Sequence, residues 1–389
     1  MEIKELTSNC HEVVVGFRRH FHKYPELSGQ EFKTQQRILA ELDRLGIEHH
    51  KAAGTGIIAE IRGNKPGRTV ALRADIDALE LVDNCGKAYQ SVNAGVCHAC
   101  GHDGHIAILL GAAQVLLQLK QDFAGNIRLL FQPSEEVFPG GAAKMIEEGA
   151  LSGVDSIAAL HLWQPLRVGT IGVSPGAVMA SPDEFTINIS GSGGHGGMPQ
   201  QTIDALFTAA QVVVALNSIV SRNIDPLEPA VLSVGVLRSG DMPNIVADTA
   251  VIRGTVRTFN EETRQKAFKR IEQITQGICQ AAGAQFSIKK VFGYPPVIND
   301  AALAKLAANA ASETVGKENV LEIKPSMVGE DFSLYQQQVT GVLIFVGVGN
   351  AEKGIIYPQH HPKYDIDEQG LKLGVEVLSR VAVRMLSDK

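Results

Sequence analysis

The sequence predicts an α/β protein in which a mostly parallel central sheet flanked by helices is interrupted by a smaller inserted domain. Short apolar runs at Thr69 to Ala74, Ile127 to Phe131 and Ile157 to Leu160 alternate with helical patterns. That alternation is the mark of a parallel sheet covered on both faces. Residues 182–293 then follow a different grammar, after which the first one returns.

The helical patterns of the first domain are Leu6 to Tyr24, Glu31 to Leu45 closed by Gly46, and a long apolar stretch from Gly104 to Leu119. In each, apolar residues recur at helical spacing, and a glycine just past the last turn is a common stop. In the insertion, Phe185 to Ser190 alternates as a strand and Thr202 to Val220 reads as a helix. Ala230 to Leu237 and Ala250 to Thr258 read as strands, Glu261 to Ala281 as a helix and Phe286 to Val291 as a strand. This β-α-β-β-α-β order is that of a ferredoxin-like split unit. A helix at Ala301 to Thr314, a buried strand at Val342 to Val348 and an amphipathic helix at Glu368 to Leu386 complete the chain. The first domain therefore comprises residues 1–181 and 294–389, and the insertion residues 182–293.

A length of 389 residues accommodates two domains and deep clefts. Hydrophobic residues at 44% and charged residues at 20% fit an ordinary globular protein. A formal charge of −6 without any Lys/Arg run excludes the footprint of a nucleic-acid binder and leaves small molecules as the expected partners. The start MEIKELTSNC is polar and acidic where a secretory signal is basic and then apolar, and no segment reads as a bilayer span. The expected location is the cytoplasm. Five cysteines, an odd number, argue for reduced thiols, so a working cysteine acts as ligand or nucleophile.

The densest chemical signal is HACGHDGH, His98 to His105, preceded by Cys97. A structural zinc module needs a second ligand pair at short, regular spacing, and none follows. A redox CxxC fits poorly with two intervening imidazoles and nearby carboxylates, and the c-type haem pattern fails because Gly101 follows Cys100. A catalytic metal site using Cys100 and His102, completed by distant residues, is the remaining reading. Asp75, Glu135-Glu136 and His161 each follow one of the three apolar runs, and ligands gather at the carboxyl ends of such strands. In a pair such as Glu135-Glu136, one carboxylate can ligate metal while its neighbour moves a proton. His360-His361 lies in a loop stiffened by Pro358 and Pro362, with one of the two expected to be structural. Carboxylates, imidazoles and a thiolate together suit a divalent zinc, manganese, cobalt or nickel ion. Two such ions about 3.5–4 Å apart polarise a carbonyl and activate water, which predicts hydrolysis.

In the insertion, Gly191, Gly193 and Gly196 match a weak dinucleotide fingerprint, the only support for a nicotinamide-dependent oxidoreductase. The surrounding strand order and the intruding His195 argue instead for a loop that presents His195 as a hydrogen-bond donor to an oxyanion.

The sequence resembles the dinuclear amidohydrolases of metallopeptidase fold, a family that includes aminoacylases, hippurate hydrolases, N-acetyl-diaminopimelate deacetylases and indoleacetyl-amino-acid hydrolases. The motifs that carry the likeness span the chain: RRHFHKYPELSGQE, LRADIDAL, HACGHDGH, LLFQPSEE, ALHLW, GGHGGMP, PNIVADTAVIRGTVRTF, GEDFS and HHPKYDIDE. The resemblance implies two divalent metals held by Cys100, His102, Glu136, His161 and His360, with Cys100 bridging and Glu135 as general base. Asp75 and Asp77 stand where related metallopeptidases carry a metal-binding His and its orienting Asp, which makes them supporting or weakly catalytic groups. His195 corresponds to a residue that reaches into the partner subunit's site, implying a homodimer through the insertion, which also serves as a lid. Asn244 and Arg257 look like the groups that recognise a substrate carboxylate. Glu80, where Pro is common, and Cys97, where Met is common, depart from the pattern near the site. The implied activity is cleavage of N-acyl amino acids, with a dipeptidase or carbamoylase as the nearest competitor and a non-catalytic metal-binding protein as a more distant one.

Overall fold

In the computed structural model, which describes residues 2–387, the chain forms two compact units. One runs to Val178 and resumes over Ile298–Lys324 and from Asp331 onward. The other covers Met179–Val297 and Pro325–Glu330.

The first unit is built on a mixed sheet of eight strands. Its centre is parallel: Ala124–Gln132, Lys65–Asp75, Ser156–Arg167 and Thr340–Gly349 lie side by side in that order. These are the apolar runs, lengthened at both ends by residues that the ladder recruits. Val70 to Leu72, Leu129 to Phe131 and Ile157 to Ala159 are fully buried, as strands covered on both faces require. At one edge an antiparallel hairpin, Glu48–Ala52 with Gly56–Arg62, extends the sheet. The sequence reading missed both strands: Glu48–Ala52 carries no apolar run, whereas the buried run Ile57 to Ile61 was a signal left unread. The turn between them uses positive φ at Ala53 (49°) and Gly54 (79°).

Helices Ile3–Lys23, His102–Gln118 and Gln369–Ser387 pack on one another over this sheet, and Ala301–Val315 packs against the last of them. His102–Gln118 is buried on every side in its first three turns, hence the apolar run that follows its polar start at His102, Asp103 and His105. The carboxyl ends of the parallel strands share one rim. His161 is not the strand end that the sequence suggested, since its strand continues to Arg167. Its pairing with Lys65–Asp75 stops at Ala159, however, and only Thr340–Gly349 accompanies it further. His161 therefore still projects at the rim.

The second unit carries a four-stranded antiparallel sheet in the order Ala230–Ser239, Thr249–Thr258, Ser181–Ser190, Gln285–Val291. Its own core joins Phe185, Ile187 and Ile189 to Val212, Leu216, Phe268 and Ile271 from its helices. The single helix expected over Thr202 to Val220 is two, Ala205–Leu216 and Ser218–Arg222. Asp204 caps the first by accepting the Phe207 N–H at 2.9 Å, and the chain breaks at Asn217. Contrary to the sequence reading, the stretch Ala205–Arg222 is long and apolar enough by length and composition to cross a membrane. Its buried face, however, joins the core of this unit.

The loop from Pro133 to Gly141 leaves the rim after Ala124–Gln132 and is pinched at its base, where the Gly141 N–H donates to the Ser134 carbonyl at 3.0 Å. A β-carbon on Gly141 would sit 1.9 Å from the Pro133 carbonyl oxygen. Gly141→Ala is accordingly expected to lower stability by about 1–3 kcal/mol through overpacking against backbone, measured by denaturant unfolding. Wild-type stability in that variant would contradict the described packing.

Candidate metal centre

Gly101 turns the chain between Cys100 and His102 with φ 96°, a left-handed conformation open to glycine, and helix His102–Gln118 starts immediately after it. That turn lets the ligand-type side chains on either side of Gly101 converge. The donor atoms of Cys100, His102 and His161 lie within 4.8 Å of one another, as do those of Cys100, Glu136 and His360. The two sets share Cys100.

Backbone fixes the Nδ1 side of each buried imidazole. His102 Nδ1 donates to the Asp77 carbonyl at 2.9 Å, and His161 Nδ1 donates to the Leu162 carbonyl at 2.8 Å. Both Nε2 atoms therefore face inward. His161 Nε2 stands 3.6 Å from Cys100 Sγ. His102 Nε2 stands 3.8 Å from Glu136 Oε1, 3.7 Å from Asp75 Oδ2 and 4.0 Å from Glu135 Oε2. His360 Nε2 is 3.5 Å from Glu136 Oε2. Separations this long are poor hydrogen bonds. They match the spacing of donors around a cation bound at about 2.0–2.3 Å. His102 Nε2 and Glu136 Oε1 are buried with no hydrogen-bond partner, a costly arrangement unless a further group completes it. The donor set and the orphaned atoms together fit divalent metal.

Electrostatics prepare the two imidazoles differently. Burial, aided by neighbouring His105, lowers the His161 pKa and keeps it neutral. Burial also works against charging His102, but Asp75, Asp77 and Glu136 outweigh it and raise its pKa to about 10. Without a cation, His102 is an imidazolium that a metal must deprotonate. Two of the three non-glycine residues with positive φ among the described residues sit in this region, Ser134 (55°) and His360 (62°). The His360 N–H donates to the Ala99 carbonyl at 2.8 Å, tying the distant loop to HACGHDGH. His361 turns away and stacks on Tyr357, with ring centroids 4.5 Å apart.

Asp75 is committed elsewhere. Its Oδ1 lies 2.6 Å from His105 Nδ1 and its Oδ2 accepts from Arg73 at 2.6 Å. His105 in turn accepts the Leu162 N–H at 2.9 Å. The pair locks the rim beside His102. Several groups in this scaffold escaped the sequence reading. Ser28 donates to Asp77 Oδ2 at 2.7 Å, and Glu31 accepts the Ser134 N–H at 2.9 Å. Arg18 donates to Asp103 at 2.8 Å. The i, i+4 spacing of Arg18 and His22 on an otherwise apolar helix face was the available signal.

In the second unit, Gly194–His195 pairs with Ile245–Val246, and the Gly196 N–H donates to the Asn244 carbonyl at 2.8 Å, so His195 and Asn244 are neighbours. His195 Nδ1 accepts the Gly197 N–H at 2.9 Å, which leaves the proton of the neutral ring on exposed Nε2. Arg257 is not with them. It sits at the far end of Thr249–Thr258, opposite Pro182, where it donates to the Asp183 carbonyl at 3.2 Å. At about 3.3 Å per residue, positions 249 and 257 are ~26 Å apart. The dinucleotide reading fails here. A β-carbon on Gly191 would meet the Ile203 carbonyl oxygen at 2.0 Å and one on Gly196 the Asn244 oxygen at 2.9 Å. Those glycines admit the unit's own backbone rather than a pyrophosphate.

Comparison with known proteins places these features in a family. Residues 71–384 match the model of peptidase family M20/M25/M40. The chain is 48% identical over 299 residues to an N-acyl-L-amino acid amidohydrolase of Geobacillus stearothermophilus, covering 77% of this chain and 81% of that one. It is 40% identical over 380 residues to an N-acetyl-L-cysteine deacetylase of Bacillus subtilis, covering 97% and 89%. Among solved structures it resembles a dinuclear metal-binding peptidase of the M20 family from Bacillus subtilis, with TM-score 0.85, 34% identity and coverage of 98% and 99%. With a match over most of its length and relatives this similar, the chain belongs to peptidase family M20/M25/M40.

Proposed function

We propose that the chain is a metal-dependent amidohydrolase that cleaves N-acyl amino acids to a carboxylic acid and a free amino acid. The observation that carries this reading is the pair of donor sets sharing Cys100, with inward-facing imidazoles and an adjacent second carboxylate. The activities named for the Geobacillus and Bacillus relatives support the substrate class. Cys100, His102, Glu136, His161 and His360 would hold two divalent ions, zinc, manganese, cobalt or nickel, which supply Lewis-acid polarisation of the carbonyl and acidify water.

Glu135 is the proton carrier. Both oxygens of its neighbour Glu136 face imidazoles, at 3.8 and 3.5 Å, whereas Glu135 stands at 4.0 Å from His102. Glu135 takes the proton of the attacking water as the C–O bond forms, and delivers it to the amide nitrogen as the C–N bond breaks. Asp77 positions His102 and Asp75 holds His105 beside it, and neither touches substrate. The Nε2–H of His195 donates to the developing oxyanion. Asn244 and Arg257 recognise the substrate carboxylate. Because Arg257 sits at the far end of Thr249–Thr258 from the segment that carries Asn244, we assign them to a site completed by two copies. The second unit is then a ferredoxin-like lid and homodimer surface. The working location is the cytoplasm.

Glu135→Gln should lower kcat by at least about 10²-fold while metal content by elemental analysis is unchanged. A variant that keeps most of its turnover would refute the assignment. Metal uptake should also depend on pH. The His102 pKa is raised to about 10, so below that value its proton must be released when metal binds. Affinity is therefore expected to rise from pH 6 to pH 9, with proton release detectable by calorimetry in buffers of different ionisation enthalpy. A pH-independent affinity without proton release would contradict the ligand role of His102.

A further inference from the structure

We propose that His22, Asp83 and Cys97 form a separate structural zinc site, which clasps the loop between Leu79 and Cys97 onto the helix Ile3–Lys23. The donor atoms of these three buried residues lie within 4.8 Å of one another. His22 Nδ1 is 2.7 Å from Asp103 Oδ2, so a carboxylate stands behind the ring, as it does behind many zinc-bound imidazoles. His22 Nε2 then points at Asp83 Oδ2 across 3.3 Å, and it is buried without a hydrogen-bond partner. Two donors each about 2.0–2.1 Å from a tetrahedral zinc are ~3.3 Å apart. Thiolate, imidazole and carboxylate together favour zinc over harder cations.

The loop is already shaped for this role. Leu79 and Cys97 exchange both backbone hydrogen bonds at 3.0 Å and close the segment between them. Asp83 is oriented by backbone N–H groups, from Cys85 at 2.9 Å and from Ser91 at 2.8 Å. Cys85, half-buried on the same loop, is a candidate for a fourth donor, with water as the alternative. The charge also balances. Metal-free, burial and Arg18 work against charging His22, but Asp103 and Asp83 raise its pKa to about 10, and burial pushes the Cys97 thiol up. Zinc binding releases the second imidazole proton and the thiol proton to solvent, so a dication replaces two protons and the net charge of the pocket stays the same. Cys97 lies just before Cys100 and His102, and the clasp would steady the segment that carries them.

The test is anomalous diffraction at the zinc edge from crystals of the zinc-loaded full chain, paired with elemental analysis. Wild type should show a peak among His22, Asp83 and Cys97, and Cys97→Ser should lose that peak and one zinc per chain. Asp83→Asn, which preserves shape, carries the same expectation should the serine variant fold poorly. Absence of the peak in zinc-loaded wild type, or its persistence undiminished in Asp83→Asn, would overturn the proposal. Density at Cys100 reports separately on the reading of the main centre, so failure of one is distinguishable from failure of the other.

Discussion

Asp77 is the group through which the centre is assembled. Its carbonyl accepts His102 Nδ1–H, and its Oδ2 accepts both the Ser28 hydroxyl and the Glu136 N–H. One fully buried residue thus joins three segments remote in sequence: the N-terminal PELSGQE stretch, the HACGHDGH turn and the SEE loop. Burial opposes its ionisation, yet these donors, with His102 first, hold its carboxyl below the usual range.

A second buried network supports the other side of the turn. Arg18 donates to Asp103 at 2.8 Å and to Asp365 at 2.9 Å, and His22 reaches the same Asp103 oxygen at 2.7 Å. Buried ion pairs gain little net stability against desolvation, but losing one partner is costly. Their effect here is positional. They tie the first turn of His102–Gln118 to Ile3–Lys23 and to the loop that follows His360. The helix that carries His102 therefore starts at one place only.

Much of this was legible in sequence, for physical reasons that differ by element. The apolar runs announced the parallel strands because burial on both faces leaves no room for alternation. HACGHDGH was conspicuous because its residues are contiguous, whereas Glu136, His161 and His360 carry no local signal and emerged from the strand-end rule and from family likeness. The tautomer of each imidazole was invisible, since it is set by the carbonyls of Asp77 and Leu162, which only the folded chain presents. The polar edge strand Glu48–Ala52 was missed because a strand satisfied by one neighbour needs no apolar run. The separation of Arg257 from Asn244 likewise follows from the extended length of one strand, which a motif read as a single string conceals.

The central claim is that the fold pre-arranges two cation positions around a shared Cys100 thiolate. Crystals of the full chain loaded with manganese, with anomalous data collected at the manganese edge, test this most directly. The account predicts two peaks flanking Cys100 Sγ, one contacted by His102 and His161 and the other by Glu136 and His360. A single peak, or peaks that leave Cys100 uncontacted, would contradict it.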